Sequence, residues 1–322
     1  MSSKLCLLLA LLPLAACAGR VEHSVLGAID GSVPMHRSYA SNLPGADGAC
    51  GPAHDIDCCG SSHVPGGSFF QFNAPEYPAT VSGFELDLLE VTVGRFRAFV
   101  EAYPASKPKP GDGAHPRIAG SGWRAKWDAT LPASRDELRS WLRVDPFGHP
   151  CTMWSDAPAG HEDVPMGCLS WALGFAFCAW DGGRLPTLAE WNFAVACGDE
   201  QRENPWGPEP YDDTRAVYGE PPGGALIPAG SKPAGRGCWG QYDLGGSRTE
   251  YVLDFVDEQN RECAPPVPCV DCADLLAEHV ENRVARDSNY HKPASSAVEE
   301  ACFVDWPDFQ SEPVGVRCAY DR

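Results

Sequence analysis

Cysteines are the residues of this sequence with the most readily anticipated chemistry, because a chain of 322 residues holds fifteen of them. Three lie close together in the stretch ECAPPVPCVDC, at Cys263, Cys269 and Cys272. Thiolates with such spacing bind zinc when a fourth ligand is present, and His279 follows a little further on. In an exported protein the same cysteines are expected to form disulfides instead. Whether the protein is exported therefore decides whether these cysteines are expected to form disulfides or a zinc site.

The N-terminus predicts export. The stretch MSSKLCLLLALLPLAAC has a basic residue at Lys4, then an apolar run over 5–14 that is too short to span a bilayer. The sequence Leu-Ala-Ala before Cys17 resembles a bacterial lipobox, which implies cleavage before Cys17 and diacylation of its thiol. A plain secretory signal, cleaved near the same alanines, is the alternative. We predict a lipoprotein signal peptide over 1–16 and a lipid-anchored protein of the cell envelope, at the outer membrane or the periplasmic face.

Export favours disulfides over zinc for the thirteen cysteines that remain once Cys6 leaves with the signal and Cys17 carries the lipid. Because the number is odd, at least one cysteine is expected to be unpaired or bonded to another chain. The net charge of −19 repels phosphate backbones, so nucleic acid is not an expected partner. The 33 glycines and 30 prolines favour turns and short elements.

Local patterns predict the elements that must position these residues. Ser134 with Glu137, and Thr187 with Glu190, have the spacing of capping boxes at helix starts. The segment 169–180 is apolar nearly all round, which predicts a buried helix. The predicted helices span 90–103, 134–143, 169–180 and 187–197, and predicted strands lie within 82–92 and 250–256.

Six segments form an ordered set of motifs along the chain. They are VPGGSF (64–69), LLEVTVGRFRAFV (88–100), VPMGCLSWALGFAFCAWDGGRLPTLAEWNFAVACG (164–198), NPWG (204–207), AGSKPAGRGCWGQYDLGGSRTEYVLD (229–254) and PVGVRC (313–318). In this order they resemble the formylglycine-generating enzyme, or sulfatase-modifying factor, family. Agreement among independent local signals makes the set specific. We therefore predict a domain of this family over 63–322, preceded by a tether over 17–62.

The resemblance implies an α+β fold related to C-type lectins, low in regular secondary structure and rich in disulfides. It also implies two structural disulfides, Cys178–Cys318 and Cys197–Cys302. Formylglycine-generating members of the family oxidise a cysteine of a sulfatase with molecular oxygen and copper, and two cysteines hold the copper.

The segment similar to the copper-binding part of the family is RVARDSNYHKPASSAVEEAC, over 283–302. Counted forward from Ser288, the two copper positions fall on His291 and Ser296. Counted back from Cys302, they fall on Lys292 and Ala297. Copper(I) is soft and prefers thiolates, which a hydroxyl does not replace. Copper is therefore not an expected cofactor, and no catalytic residue is predicted.

Calcium is the cofactor that the resemblance does imply. The segment YDLGGSRTEY would supply the side chains of Asp243 and Glu250, with backbone carbonyls from Gly246 and Arg248. Hard oxygen donors that include two carboxylates suit Ca²⁺. The alternative is a turn in which Asp243 binds nearby backbone and Glu250 lies on a strand. A second calcium motif of the family reads RAVY here, where Val217 lacks an oxygen donor.

Three functions remain open at this point. The preferred one is a non-catalytic binding or scaffold module, a pseudoenzyme that is anchored to the lipid membrane through acylated Cys17 and binds a protein or glycan ligand. The second is an iron-dependent oxygenase of the same superfamily. The third is a formylglycine-generating oxidoreductase with a relocated cysteine pair, such as Cys269 and Cys272.

Overall fold

The computed structural model describes residues 49–145, 148–217, 225–255, 265–275, 283–286 and 314–321, together with the backbone of 302–305. Helices α1 to α4 span Val93–Ala102, Arg135–Arg143, Trp171–Trp180 and Leu188–Ala196. Strands β1 to β5 span Ser61–Val64, Gly67–Phe70, Pro78–Val81, Phe84–Asp87 and Thr249–Phe255, and β6 to β10 span Cys269–Val270, Arg283–Arg286, Cys302–Asp305, Val314–Gly315 and Ala319–Tyr320. These short elements confirm the predicted α+β class with little regular structure.

The strands form three small sheets, with the orders β1-β4-β10, β2-β3-β6 and β8-β7-β5-β9. In the first sheet β4 pairs antiparallel with both neighbours. In the third, β9 runs parallel to β5, which places Gly315 opposite Glu250. The last two strands therefore link two sheets, because β9 pairs with β5 and β10 pairs with β4. The residues that connect β9 to β10 cross from one sheet to the other.

Each helix begins at a hydroxyl residue whose side chain accepts a hydrogen bond from the backbone. The N-caps are Thr92, Ser134, Ser170 and Thr187. The capping box predicted at Thr187 and Glu190 is present in full. At the start of α2 the Ser134 half is present, but the carboxylate of Glu137 accepts from the N–H of Ala133, 2.7 Å away. All four predicted helices are thus confirmed. Helices α2 and α4 begin at the hydroxyl residues that the sequence indicated, whereas α1 and α3 begin a few residues after their predicted starts at 90 and 169.

Substitution of Thr187 by alanine should lower the free energy of unfolding by about 1–2 kcal/mol, because the N–H of Glu190 would lose its acceptor inside the protein. Thr187 is 1% exposed, so water cannot replace the hydroxyl. Ser134→Ala is the matched control at an exposed N-cap, and it should cost about 0.5–1 kcal/mol. Urea denaturation measures both, and equal losses would contradict the argument.

Helix α3 lies at the centre of the larger core cluster. Its residues from Trp171 to Cys178 are all buried, as the apolar pattern predicted. The indole of Trp171 packs against the rings of Phe175 and Phe255, and its Nε1 donates to the carbonyl of Val252, 2.9 Å away. The ring contact with Phe255 and the hydrogen bond to Val252 hold α3 against β5, because both partners lie on that strand.

Five disulfides lie in the described ranges. They join Cys50 to Cys58, Cys151 to Cys168, Cys178 to Cys318, Cys197 to Cys238 and Cys269 to Cys272. The pair Cys178–Cys318, which ties the end of α3 to the segment before β10, is as predicted. Cys59 is buried and lies outside these pairs.

The predicted pair Cys197–Cys302 is wrong, because Cys197 is bonded to Cys238. Cys197 ends α4 in the left-handed conformation, with φ at 55°. The loop before β5 passes this end of the helix and stacks Trp239 on Phe193, with ring centroids 5.3 Å apart. That contact brings the Cα atoms of Cys197 and Cys238 to 5.8 Å, a distance suited to a disulfide.

The packed region begins earlier than the predicted boundary at residue 63. Cys50 and Cys58 are bonded to each other and buried, and they form a small core with Leu89 and Ala229. The last part of the predicted tether over 17–62 is therefore folded onto the domain. Among the described residues, no helix combines the length and the apolar character that crossing a bilayer requires.

Candidate functional site

Three buried carboxylates, those of Glu90, Asp243 and Glu250, lie near one another between β5 and the segment before α1. We call them the carboxylate cluster. Glu250 lies on β5. Asp243 and Gly246 lie in the turn that precedes this strand, both with positive φ, at 56° and 90°. A side chain at Gly246 would approach the carbonyl oxygen of Val217 to within 2.8 Å. The turn can therefore pack this closely only with glycine at that position.

Arg317, between β9 and β10, is the buried cation that faces the whole cluster. Its Nε donates to both carboxylate oxygens of Glu250 at 2.8 Å, and its Nη2 donates to Oε1 at 2.6 Å. The indole of Trp191 also donates to Glu250, with 2.7 Å between Nε1 and Oε2. Glu250 is thus held in a charge-assisted, two-pronged pair.

Of the other two carboxylates, Glu90 accepts bonds from the turn, and Asp243, which lies in the turn, accepts one from another loop. Glu90 accepts from the hydroxyl of Ser247 at 2.9 Å and from the N–H of Arg248 at 2.8 Å. Asp243 accepts from the N–H of Gly230 at 2.6 Å. Glu90 therefore closes the turn that carries the residues predicted to bind calcium.

The electrostatics of the cluster favour an additional cation. Burial raises the pKa of Glu90 well above its usual value, and the nearby Asp243 and Glu250 raise it further. Burial also raises the pKa of Asp243, to about 6. Arg317 and Arg248 lower the pKa of Glu90, and Arg317 and Lys232 lower that of Asp243, but burial outweighs them. A positive ion beside the cluster would stabilise the charged forms of these carboxylates in a region of low dielectric constant.

The donor set fits calcium only in part. Both oxygens of Glu250 accept bonds from Arg317, so this side chain does not present a free carboxylate to an ion. Within the described ranges, no three acidic, histidine or cysteine side chains are grouped around a common metal position. The donors that suit a hard cation are the carboxylate of Asp243 and the carbonyls of Gly246 and Arg248, and Glu250 would join them only by releasing part of its ion pair.

A fourth buried carboxylate, Asp254, lies further along β5 and joins two segments. It accepts from the N–H of Leu188 at the start of α4, at 2.7 Å, and from the N–H of Asp274, at 2.9 Å. Burial raises its pKa to about 7, although both N–H groups oppose the rise.

The pKa of Asp254 predicts that stability falls as the pH rises. An unfolded aspartate has a pKa near 3.9, whereas that of folded Asp254 is about 7. Between about pH 4 and pH 7, Asp254 therefore carries a proton in the folded state but not in the unfolded state, and this stabilises the folded protein. The natural protein should lose about 2–3 kcal/mol more of its free energy of unfolding between pH 5 and pH 8 than the Asp254→Asn variant loses. Urea denaturation at the two pH values measures this difference, and identical pH slopes in the two proteins would contradict it.

Several residues named from the sequence lie outside the described ranges. They are Cys17, Cys263, His279, and the copper positions His291 and Ser296 with their alternatives Lys292 and Ala297. The segment that holds the copper positions connects β7 to β8, which pair antiparallel with Arg286 opposite Cys302. Cys269 and Cys272 are bonded to each other, so in this state neither is a thiolate ligand for zinc or copper.

The four residues predicted for calcium lie in one segment, from the turn to the start of β5, and two residues outside that segment, Glu90 and Arg317, bond to it. Glu90 is the clearer omission, because it interrupts the apolar run Leu-Leu-Glu-Val and is fully buried. A charged residue inside an apolar run suggests that it is buried with a polar partner, but the run does not identify that partner. Arg317 was missed because nothing near it in sequence indicates that β9 places it against Glu250.

Comparisons with known proteins identify the domain and its fold. The family model for the sulfatase-modifying factor enzyme 1-like domain matches residues 49–322. The chain is 28% identical to the inactive C-alpha-formylglycine-generating enzyme 2 of Mus musculus, over 80% of this chain and 84% of that protein. It is 30% identical to hercynine oxygenase of Mycobacterium tuberculosis, over 55% of this chain and 39% of that protein. The solved structure of PvdO from Pseudomonas aeruginosa has the same fold, with a TM-score of 0.54 and 20% identity over 82% of this chain and 95% of that chain.

Proposed function

The chain belongs to the family of the sulfatase-modifying factor enzyme 1-like domain, and we propose that it is a membrane-anchored, non-catalytic member of that family. It would act as a binding or scaffold module for a protein or glycan ligand at the cell envelope. One observation carries the proposal, namely that no cysteine occurs between Arg283 and Ala301, where catalytic members of the family hold copper. Those positions fall on His291 and Ser296 by one count and on Lys292 and Ala297 by the other, and neither pair forms a thiolate site.

Two further observations support the proposal. Family features that hold the frame, such as the capped helix α4 and the Cys178–Cys318 bond, are retained. The mouse relative described above is itself called inactive. A protein that keeps the fold of the family but lacks its metal ligands is expected to bind a ligand rather than to oxidise a substrate.

The test combines a copper titration with an activity assay. The full chain, with its disulfides intact, is titrated with Cu(I) in the presence of a competing chelator and then incubated with a Cys-x-Pro-x-Arg peptide. We expect no high-affinity copper binding and no aldehyde product by mass spectrometry. The variant His291→Cys with Ser296→Cys is the matched control, and it should gain high-affinity Cu(I) binding. Aldehyde formation by the natural chain would overturn the proposal.

An oxidoreductase that uses other residues is the alternative, and the similarity to hercynine oxygenase is what favours it. Metal analysis of the purified full chain separates the two functions. Stoichiometric iron or copper would favour the oxidoreductase, whereas calcium alone would favour the binding module.

Membrane anchoring through Cys17 rests on the sequence preceding it. Cys17→Ser should move the protein from the membrane fraction to the periplasmic or medium fraction, because the variant lacks the acylated thiol. Fractionation with immunoblotting measures the shift, and Cys6→Ser, which changes a cysteine within the signal, is the control that should leave the membrane fraction unchanged. A Cys17→Ser protein that remains in the membrane fraction would contradict the anchor.

We also propose that calcium binds beside the carboxylate cluster, through Asp243 and the carbonyls of Gly246 and Arg248. The raised pKa values of the buried Glu90 and Asp243 support this proposal, because a bound cation would stabilise their charged forms. Calcium in the millimolar range should raise the Tm of the full chain, because a ligand that binds only the folded state stabilises it. Asp243→Ala should abolish the rise, while Asp199→Ala on the exposed surface should keep it. An equal rise in both variants would place the ion elsewhere.

A further inference from the structure

The disulfide between Cys269 and Cys272 closes the shortest loop of the five, with a sequence separation of 3. The others have separations of 8, 17, 41 and 140. A bond stabilises a fold largely by restricting the unfolded chain, and the restriction grows with the length of the loop. The Cys269–Cys272 bond therefore contributes least to keeping the chain folded and can open without unfolding the domain.

The two sulfurs of this bond differ in their access to solvent. Cys269 lies on the edge strand β6 and is 1% exposed, whereas Cys272 follows the turn and is partly exposed. The nearby residues Val267 and Val270 are 55% and 68% exposed, so solvent reaches the turn from the side of these valines. A thiol that approaches from solvent meets the sulfur of Cys272 first.

The turn between the cysteines is held by bonds that do not need the disulfide. Asp271 accepts from the backbone N–H of Ser82 at 2.6 Å and from its hydroxyl at 2.8 Å. The N–H of Asp271 donates to the carbonyl of Thr80 at 2.9 Å. Opening the disulfide leaves these bonds in place, so the two thiols stay close and the bond can form again.

A positive charge lies beside the same turn. The guanidinium of Arg117 is half exposed, and its Nε is 3.6 Å from a carboxylate oxygen of Asp271. Thiolates are the reactive species in disulfide exchange, and a neighbouring cation favours their approach. Arg117 offsets the charge of Asp271, the residue next to Cys272, and so weakens the repulsion between Asp271 and an approaching thiolate.

We propose that Cys269 and Cys272 form a reversible thiol–disulfide exchange site that reacts with thiol reductants. The thiolate of the reductant attacks Sγ of Cys272 and forms a mixed disulfide, while the bond to Cys269 breaks and its sulfur leaves as a thiolate that takes up a proton. A second thiol of the reductant then attacks the mixed disulfide, which releases the oxidised reductant and leaves Cys272 as a thiol. One protein disulfide is thereby reduced as two reductant thiols are oxidised to one disulfide.

The test treats the natively folded full chain with graded ratios of reduced to oxidised glutathione, blocks free thiols by alkylation and maps them by mass spectrometry. Alkylation at Cys272 should appear at least about tenfold faster than at Cys151, Cys168, Cys178 or Cys318, because Cys272 is partly exposed whereas both cysteines of each of those bonds are buried. A parallel arm replaces glutathione by a protein dithiol of the thioredoxin type, and the faster arm identifies the source of the reducing thiols. Reduction of all disulfides together, or only after denaturant is added, would overturn the proposal.

Two variants define the roles of the individual residues. With Cys269→Ser the glutathione adduct should accumulate on Cys272, because the resolving thiol is gone. With Asp271→Ala the reduced pair should close again at least about threefold more slowly, since the bonds to Ser82 are lost. Thermal denaturation verifies that each variant is folded. A folded Cys269→Ser protein that forms no adduct would refute attack at Cys272.

Discussion

Replacing Cys178 and Cys318 together by alanine should lower the free energy of unfolding by about 4–5 kcal/mol. The bond has a sequence separation of 140, so its loss returns a large amount of chain entropy to the unfolded state. Both cysteines are fully buried, and alanine leaves a small cavity that adds to the cost. Urea denaturation under non-reducing conditions measures the loss.

The matched control is the double variant Cys50→Ala with Cys58→Ala. That bond has a separation of only 8, and its removal should cost about 2.5 kcal/mol by the same reasoning. If the two double variants lost equal stability, loop length would not explain the contribution of the longer bond. Packing of the end of α3 against the C-terminal segment would then be the larger effect.

Arg95→Met should lower the free energy of unfolding by about 3–5 kcal/mol. This is the largest loss that we predict for the substitution of a single charged residue. Arg95 lies on α1 and is fully buried. It donates to Asp87 at 3.0 Å, to Asp181 at 2.8 Å and to the hydroxyl of Tyr320 at 3.1 Å. Without it, two carboxylates lie inside the protein with no cation between them.

Arg139→Met on the surface of α2 is the control for that prediction. Arg139 pairs with Glu101 at 2.7 Å, but both side chains reach solvent, so the loss should stay below about 1 kcal/mol. Adding Asp87→Asn and Asp181→Asn to the Arg95→Met protein should recover part of the loss, because the uncompensated charges are removed. No recovery would mean that the lost packing of the Arg95 side chain, rather than its charge, explains the damage.

The carboxylate cluster shows why only part of the site could be predicted. Asp243, Gly246 and Glu250 lie within one short segment, and the family resemblance was enough to group them. Glu90 and Arg317 are far from that segment in sequence. Arg317 meets it because β9 pairs with β5, and Glu90 meets it because backbone bonds tie the residues beside Glu90 to Tyr242 and Val316. Their partnership depends on the order of strands in a sheet, which no local pattern encodes.

The sequence by itself determined the features that neighbouring residues decide. Thr187 and Glu190 specify where α4 begins, since a hydroxyl residue and a carboxylate at this spacing satisfy the first N–H groups of a helix. The apolar run that forms α3 specifies that this helix is buried, because it has no polar face to expose.

Only the tertiary structure decided the partner of Cys197 and the extent of the packed region. Cys238 reaches Cys197 because Trp239 stacks on Phe193, and the segment before β1 belongs to the domain because Cys50 packs beneath Leu89. Both outcomes depend on contacts between residues distant in sequence. The free energy of such contacts is realised only when the whole chain has folded, so the residues near each cysteine do not reveal its partner.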